Sequence, residues 1–205
     1  MTAKQEHFRS ALESAISDFH LPPLSQEQCE ALVAHYRLMV EWNERMNLTR
    51  IIEPEQAARF HYAESLFGAR FVEPATTILD VGSGAGFPGL PMAVCLEEKI
   101  VTALESNQKK SLFLLEAKTR LNLQNFSVVS MRLEQYDWTD VDLLVCRALD
   151  RAEKMLPKVI KKLSAKQRLM IYCAAELADK VRTLHERFQI HSIPQATNRF
   201  VVVVG

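Results

Sequence analysis

The apolar positions of this chain follow two different rhythms. Up to about residue 70 they recur every three or four residues, the period of an amphipathic helix. A first helix is predicted over roughly 4–19 and is broken by Pro22-Pro23. Ser25 with Gln28 three residues on makes a capping box for a second helix. Along it Leu32, Val33, Tyr36, Met39 and Val40 form one apolar face, while Glu41 and Arg45 are spaced to pair on the other. Pro54 suits the first turn of a third helix over about 54–67, and Gly68 suits its end.

After Pro74 the rhythm changes. Thr77–Val81, Ile100–Leu104, 126–130, 141–146, Arg168–Cys173 and Phe200–Val204 are short, continuous apolar runs, as in strands buried on both faces. Helical stretches fall at about 88–97, 107–121, 151–164 and 176–187, with a loop or short helix at 132–140. Such alternation predicts an α/β fold, a parallel sheet with helices on both sides. The organisation expected is a helical N-terminal segment, 1–70, followed by a Rossmann-like domain, 71–205.

Composition narrows this little: 48% hydrophobic and 24% charged residues describe an ordinary globular chain. The longest apolar run, 90–96, is far short of the roughly 20 residues of a spanning helix. The N-terminus has no apolar signal core, so a cytoplasmic protein without a membrane anchor is expected. Twenty-five basic residues balance twenty-five acidic ones, which excludes coating of nucleic acid by bulk charge but not a local basic patch. Cys29, Cys95, Cys146 and Cys173 form no CxxC pair, and His185 and His191 are wrongly spaced for a helical ligand pair. Neither a disulfide frame nor a metal site is expected.

The chemistry concentrates in one place. Four of the six glycines, Gly82, Gly84, Gly86 and Gly89, fall within eight residues, directly after the first predicted strand. A glycine turn between a strand and a helix lets the backbone approach a ligand at the carboxyl end of a parallel sheet. Residues 84–89 match GxGxxG, the dinucleotide fingerprint, but the turn already begins at Gly82. Asp80, just before the turn, would repel a pyrophosphate and suits the amino-acid moiety of S-adenosylmethionine. Glu105, ending the second strand, is placed to accept ribose hydroxyls of either cofactor class. S-adenosylmethionine is the better fit, with a dinucleotide oxidoreductase as the rival.

The stretch Asp80-Val81-Gly82-Ser83-Gly84-Ala85-Gly86-Phe87-Pro88-Gly89 resembles the first motif of the glucose-inhibited division protein B family. These are ribosomal RNA small subunit methyltransferases that modify N7 of a guanine in 16S RNA. Similarity extends over nearly the whole chain: Trp42-Asn43, Asn47-Leu48-Thr49, His61 with Ser65-Leu66, Leu104-Glu105-Ser106, Lys109-Lys110, Phe113-Leu114, Arg132-Leu133-Glu134 and Cys146-Arg147-Ala148. The resemblance implies a class I S-adenosylmethionine-dependent methyltransferase fold. It implies cofactor contacts at Gly82, Phe87, Leu133, Glu134 and Arg147, to which general methyltransferase logic adds Asp80, Gly84, Gly86 and Glu105. It also implies the small ribosomal subunit or its RNA as partner, and a monomer. The sequence departs from the family at several positions. Cys146 stands for serine, Leu149 for phenylalanine, Glu64 for aspartate, Phe60 for arginine, and Cys173-Ala174 for a Lys-Gly pair.

Guanine N7 has a lone pair and no proton, so methyl transfer to it needs alignment rather than a base. Arg147 is expected to position the substrate. Cys146 admits a second reading, a thiolate attacking cytosine, beside that of a small buried residue. His61 is either a motif residue or a packing histidine. Arg151, Lys154, Lys158, Lys161, Lys162, Lys166 and Arg168 outnumber Asp150 and Glu153, giving either a phosphate grip or a solvated helix face. A small-molecule methyltransferase and an assembly factor without turnover remain alternative functions.

Overall fold

The structure, a computed structural model, describes residues 3–147 and 152–205. Residues 148–151, with the motif residue Ala148, the departure at Leu149, and the charges of Asp150 and Arg151, lie outside the described residues.

Helix α1 (Ala3–Asp18) buries Phe8, Leu12, Ala15 and Ile16 on one face. Helix α2 (Gln26–Asn43) starts at the predicted box: the Ser25 hydroxyl accepts from the Gln28 amide at 3.2 Å, and the Gln28 side chain accepts from the Ser25 amide at 2.9 Å. Because α2 ends before Arg45, Glu41 pairs instead with Arg37 at 3.6 Å and Arg120 at 3.7 Å. The third helix is interrupted. It runs as α3 (Pro54–Ala57), a π-helical turn over Ala58–Ala63, and α4 (Glu64–Ala69). Gly68 does not end it. It lies inside α4, where a Cβ would sit 1.8 Å from the Tyr172 hydroxyl, so close packing demands the glycine.

The described sheet has seven strands: β1 (Thr77–Val81), β2 (Ile100–Leu104), β3 (Phe126–Val129), β4 (Leu143–Arg147), β5 (Arg168–Cys173), β6 (Phe188–Ser192) and β7 (Phe200–Val204). Their order is β3-β2-β1-β4-β5-β7-β6. The first five are parallel, and β7 is inserted antiparallel between β5 and β6. Strand β6 departs from the expected pattern. The helix predicted over 176–187 is α8 (Ala175–Arg182), and an edge strand follows it. Its apolar residues, Phe188 and Ile190, are only partly buried, and His191 stacks on Phe71, so its apolar signature is weak. Helices α5 (Gly89–Cys95), α6 (Gln108–Arg120) and α7 (Ala152–Lys162) complete the layers.

Successive strand residues point to opposite faces. Ile78, Val145, Met170 and Val203 share a core with the N-terminal helices, α5 and α6, whereas Leu79, Cys146, Ile171 and Val204 pack with Leu156, Val159 and Val181 of α7 and α8. The helical segment thus shares one apolar core with the sheet. The same parity puts Asp80, Arg147 and Tyr172 on the face covered by the N-terminal helices. Arg147 and Tyr172 are direct neighbours across β4 and β5. Connections from β1 and β4 leave in opposite directions along the sheet. Their carboxyl ends therefore bound the crevice where open α/β sheets bind ligands.

Candidate active site

Strand β1 ends in a turn that only glycine adopts readily: Gly82, Gly84 and Gly86 have φ of 71°, 59° and 90°. Asp80 fixes the turn from below. Its Oδ2 accepts from the Ser83 hydroxyl at 2.5 Å and from the Gly89 amide at 3.0 Å. A Cβ on Gly89 would lie 2.7 Å from that oxygen, so this glycine admits the carboxylate. Asp80 is wholly buried, and burial pushes its pKa up to about 6 against those two hydrogen bonds. Its Oδ1 has no hydrogen-bond partner among the described residues.

Glu105 fixes the turn from the side. Its Oε2 accepts from the Gly84 amide at 2.9 Å and its Oε1 from the Asn107 amide at 2.8 Å. Asn107 in turn caps α6 by accepting from the amides of Lys109 and Lys110. The loop after β3, next to β2, carries a single 3-10 turn, Leu133–Gln135, in which Leu133 is half-buried and Glu134 exposed. The structure thus brings Asp80, Gly82, Gly84, Gly86 and Glu105 into one cluster, with Leu133 and Glu134 on the adjoining loop.

Phe87 belongs to the turn, but its ring points away from the crevice into the core and stacks on His61 with centroids 4.5 Å apart. Any cofactor contact it makes falls to its backbone. The N-terminal motif residues explain that stacking. The Thr49 amide donates to Asn43 Oδ1 at 3.0 Å, and the Thr49 hydroxyl meets His61 Nε2 at 2.9 Å. Trp42 Nε1 donates to Glu116 of α6 at 2.9 Å. This chain of contacts fastens the end of α2 to the glycine turn. Burial, with the nearby Arg147 charge, holds the His61 pKa down at about 3, so the ring is neutral.

Arg147, the last residue of β4, does not reach into open solvent. Its guanidinium donates to the carbonyls of Phe60 and of His61, the latter at 3.3 Å, and lies 3.2 Å from Glu64 Oε2. The same oxygen is 2.6 Å from Arg199, which precedes β7. Burial raises the Glu64 carboxyl above its ordinary value, and the two guanidiniums oppose that rise. The sequence marks Arg147 as a positioning residue but does not reveal Glu64 as its partner. The available signal was a carboxylate inside the buried run from Ala63 to Gly68. Nothing local marks Arg199.

Cys146 faces the opposite core, beneath α7, and is 2% exposed. Burial and the neighbouring Asp80 push its thiol far above the ordinary range, which disfavours the thiolate reading. On α7, Lys154, Lys158, Lys161 and Lys162 are exposed while Leu156, Val159 and Ile160 face the core. Lys166 is exposed beyond the helix end. Arg168 leaves this set, because its guanidinium donates to the carbonyls of Phe71 and Val72. Among the described residues no group of three His, Cys, Asp or Glu could hold a metal ion, and no helix is long and apolar enough to cross a membrane.

A seven-stranded sheet with an antiparallel β7, and a glycine turn braced by two carboxylates at its switch point, define the Rossmann-like class I S-adenosylmethionine-dependent methyltransferases. Solved structures agree in fold. An O-methyltransferase from Bacillus cereus in complex with SAH superposes with a TM-score of 0.60 at 15% identity, covering 95% of this chain and 96% of that one. A SAM-dependent O-methyltransferase from Thermotoga maritima gives 0.58 at 17% identity, covering 82% and 70%. Within this class the chain belongs to the family described as rRNA small subunit methyltransferase G, which matches residues 28–203. Proteins named ribosomal RNA small subunit methyltransferase G are its relatives. That of Dichelobacter nodosus is 42% identical over 135 residues, 65% of this chain and 64% of the relative's length. That of Bacillus pumilus is 35% identical over 182 residues, 85% and 74%.

Proposed function

We propose that the chain transfers the methyl group of S-adenosylmethionine to N7 of a guanine in the 16S RNA of the small ribosomal subunit. The observation that carries this reading is the glycine turn held between Asp80 and Glu105 in a member of this family. The residues present fit the cofactor. The orphaned Oδ1 of Asp80 is a buried acceptor that suits an ammonium donor, and Glu105 stands where ribose hydroxyls are accepted. Gly82, Gly84 and Gly86 leave room for a close backbone approach, and Phe87 contributes its main chain. Leu133 and Glu134 would meet the nucleoside from the adjoining loop. When bound, S-adenosylmethionine supplies an electrophilic methyl group on a sulfonium.

The chain's own part is alignment. It needs no general base, because N7 carries no proton. This agrees with a neutral, fully packed His61 and a protonated Cys146. Arg147 acts as a positioning residue: by holding the carbonyls of Phe60 and His61 it sets the rim of the crevice next to the glycine turn. The exposed lysines of α7 suit RNA phosphates. A monomer acting in the cytoplasm, without metal, completes the proposal. The test is methylation by the purified chain with labelled S-adenosylmethionine, offered small subunits, deproteinised RNA and small-molecule acceptors. Label confined to RNA supports the reading, and label in small molecules alone overturns it.

A further inference from the structure

Nine of the ten phenylalanines pack into one of the two cores, and Phe60 is the exception. Its ring is only partly buried. Its backbone is nevertheless tightly placed: it sits in the π-helical turn, and its carbonyl accepts from Arg147. Its neighbour His61 stacks on Phe87 of the glycine turn. The residue therefore stands at the carboxyl end of β4, with its ring turned toward Arg199 at the start of β7, which pairs with the end of β5. Two guanidiniums flank it, Arg199 at 5.3 Å and Arg59 at 6.0 Å from the ring centroid. Each is held in place, Arg199 by Glu64 at 2.6 Å and Arg59 by the Gln195 carbonyl at 2.7 Å.

A rigidly mounted aromatic ring left partly in water between two fixed positive charges matches a nucleotide. Unpaired bases stack on aromatic and guanidinium planes, while the phosphates meet arginine. We propose that Phe60, flanked by Arg59 and Arg199, is the platform on which the target guanine stacks as it enters the crevice. This rests on the guanine-N7 reading above.

The experiment uses the full chain with Phe60→Leu, Phe60→Met, Phe60→Tyr and Phe60→Trp. Affinity for S-adenosylhomocysteine, affinity for a single-stranded small-subunit RNA fragment, and KM and kcat for the methylated substrate are measured. Stacking predicts that Leu and Met weaken RNA affinity roughly tenfold or more, with cofactor affinity unchanged, and that Tyr and Trp restore it. A role in packing alone predicts that Leu and Met match the wild type, and that result overturns the platform. So does a Trp variant as weak as Leu. The RNA-binding arm does not depend on turnover. A wild type that binds RNA through Phe60 but methylates none would refute the guanine reading alone.

Discussion

The guanidinium of Arg147, at the end of β4, lies 3.2 Å from the carboxylate of Glu64 in α4, and Glu64 is completely buried. This contact, shared with Arg199, ties the helical segment to the rim of the crevice. Removing one member of a buried ion pair strands the other, at a cost of about 3–5 kcal/mol. Glu64→Gln is expected to lower unfolding stability by that order, and Glu64→Asp, which keeps the charge, by clearly less. Urea unfolding of the two variants decides it; equal losses would show that the charge is not what matters.

Gly84 and Gly89 separate backbone strain from steric conflict. A Cβ on Gly84 meets nothing nearer than 3.8 Å, so Gly84→Ala suffers only its φ of +59°, about 1–2 kcal/mol. Gly89→Ala must displace the Asp80 carboxylate and is expected to cost more stability. Glu105→Ala, which frees the Gly84 and Asn107 amides, is expected to abolish measurable cofactor affinity while the chain stays folded. Thermal unfolding with calorimetric binding of S-adenosylmethionine checks all three.

Gly68 and Tyr172 are coupled. Gly68→Ala forces the Tyr172 ring aside and breaks its hydroxyl's 2.9 Å bond to the Ser65 carbonyl, an overpacking cost of about 1–3 kcal/mol. Combining it with Tyr172→Phe, which removes the nearest clashing atom and leaves the ring carbon Cζ, is expected to cost less than the sum of the single changes. Strict additivity in a double-mutant cycle would contradict the packing described.

Those two residues also show what the sequence makes legible. The glycine turn, the Ser25–Gln28 cap, and the ends of β5 and β7 were readable because each is set by neighbouring residues. The role of Gly68 was not, because Tyr172 meets it from more than a hundred residues away. The same holds for Glu64 with Arg199, and for Arg168, whose charge reads as surface but caps carbonyls after α4. Strand β6 was hidden because it is a five-residue edge strand with only two apolar residues, Phe188 and Ile190, neither of them fully buried. Of the candidate site, Asp80, Gly84 and Glu105 lie together around the glycine turn. Phe87 lies in that turn, but its ring serves the core.

Burial holds the His35 pKa down at about 3, with Nδ1 engaged by the Tyr62 hydroxyl at 2.8 Å. A histidine that stays neutral when folded takes up a proton near pH 6.5 only when unfolded. Its contribution to stability therefore falls with pH below 6.5, by about 1.4 kcal/mol per pH unit down to its folded pKa. Asp80, raised to about 6, acts in the opposite sense below that value. Replacing His35 with Gln is expected to flatten the loss of stability between pH 6.5 and 5. Parallel losses in variant and wild type would contradict a buried neutral ring.

Cys146→Ser is expected to keep most of the methyl-transfer activity, because the buried thiol is protonated and faces away from the crevice. Loss of turnover together with a trapped complex on fluorinated cytosine RNA would instead favour a thiolate mechanism.

The central claim is tested most directly in cells lacking this chain. N7-methylguanine in their small-subunit RNA is mapped by borohydride reduction and aniline cleavage, with and without a restoring copy. One cleavage site that disappears and then returns with the wild-type copy, but not with Glu105→Ala, is the predicted result. A cleavage pattern identical in all strains would contradict the account.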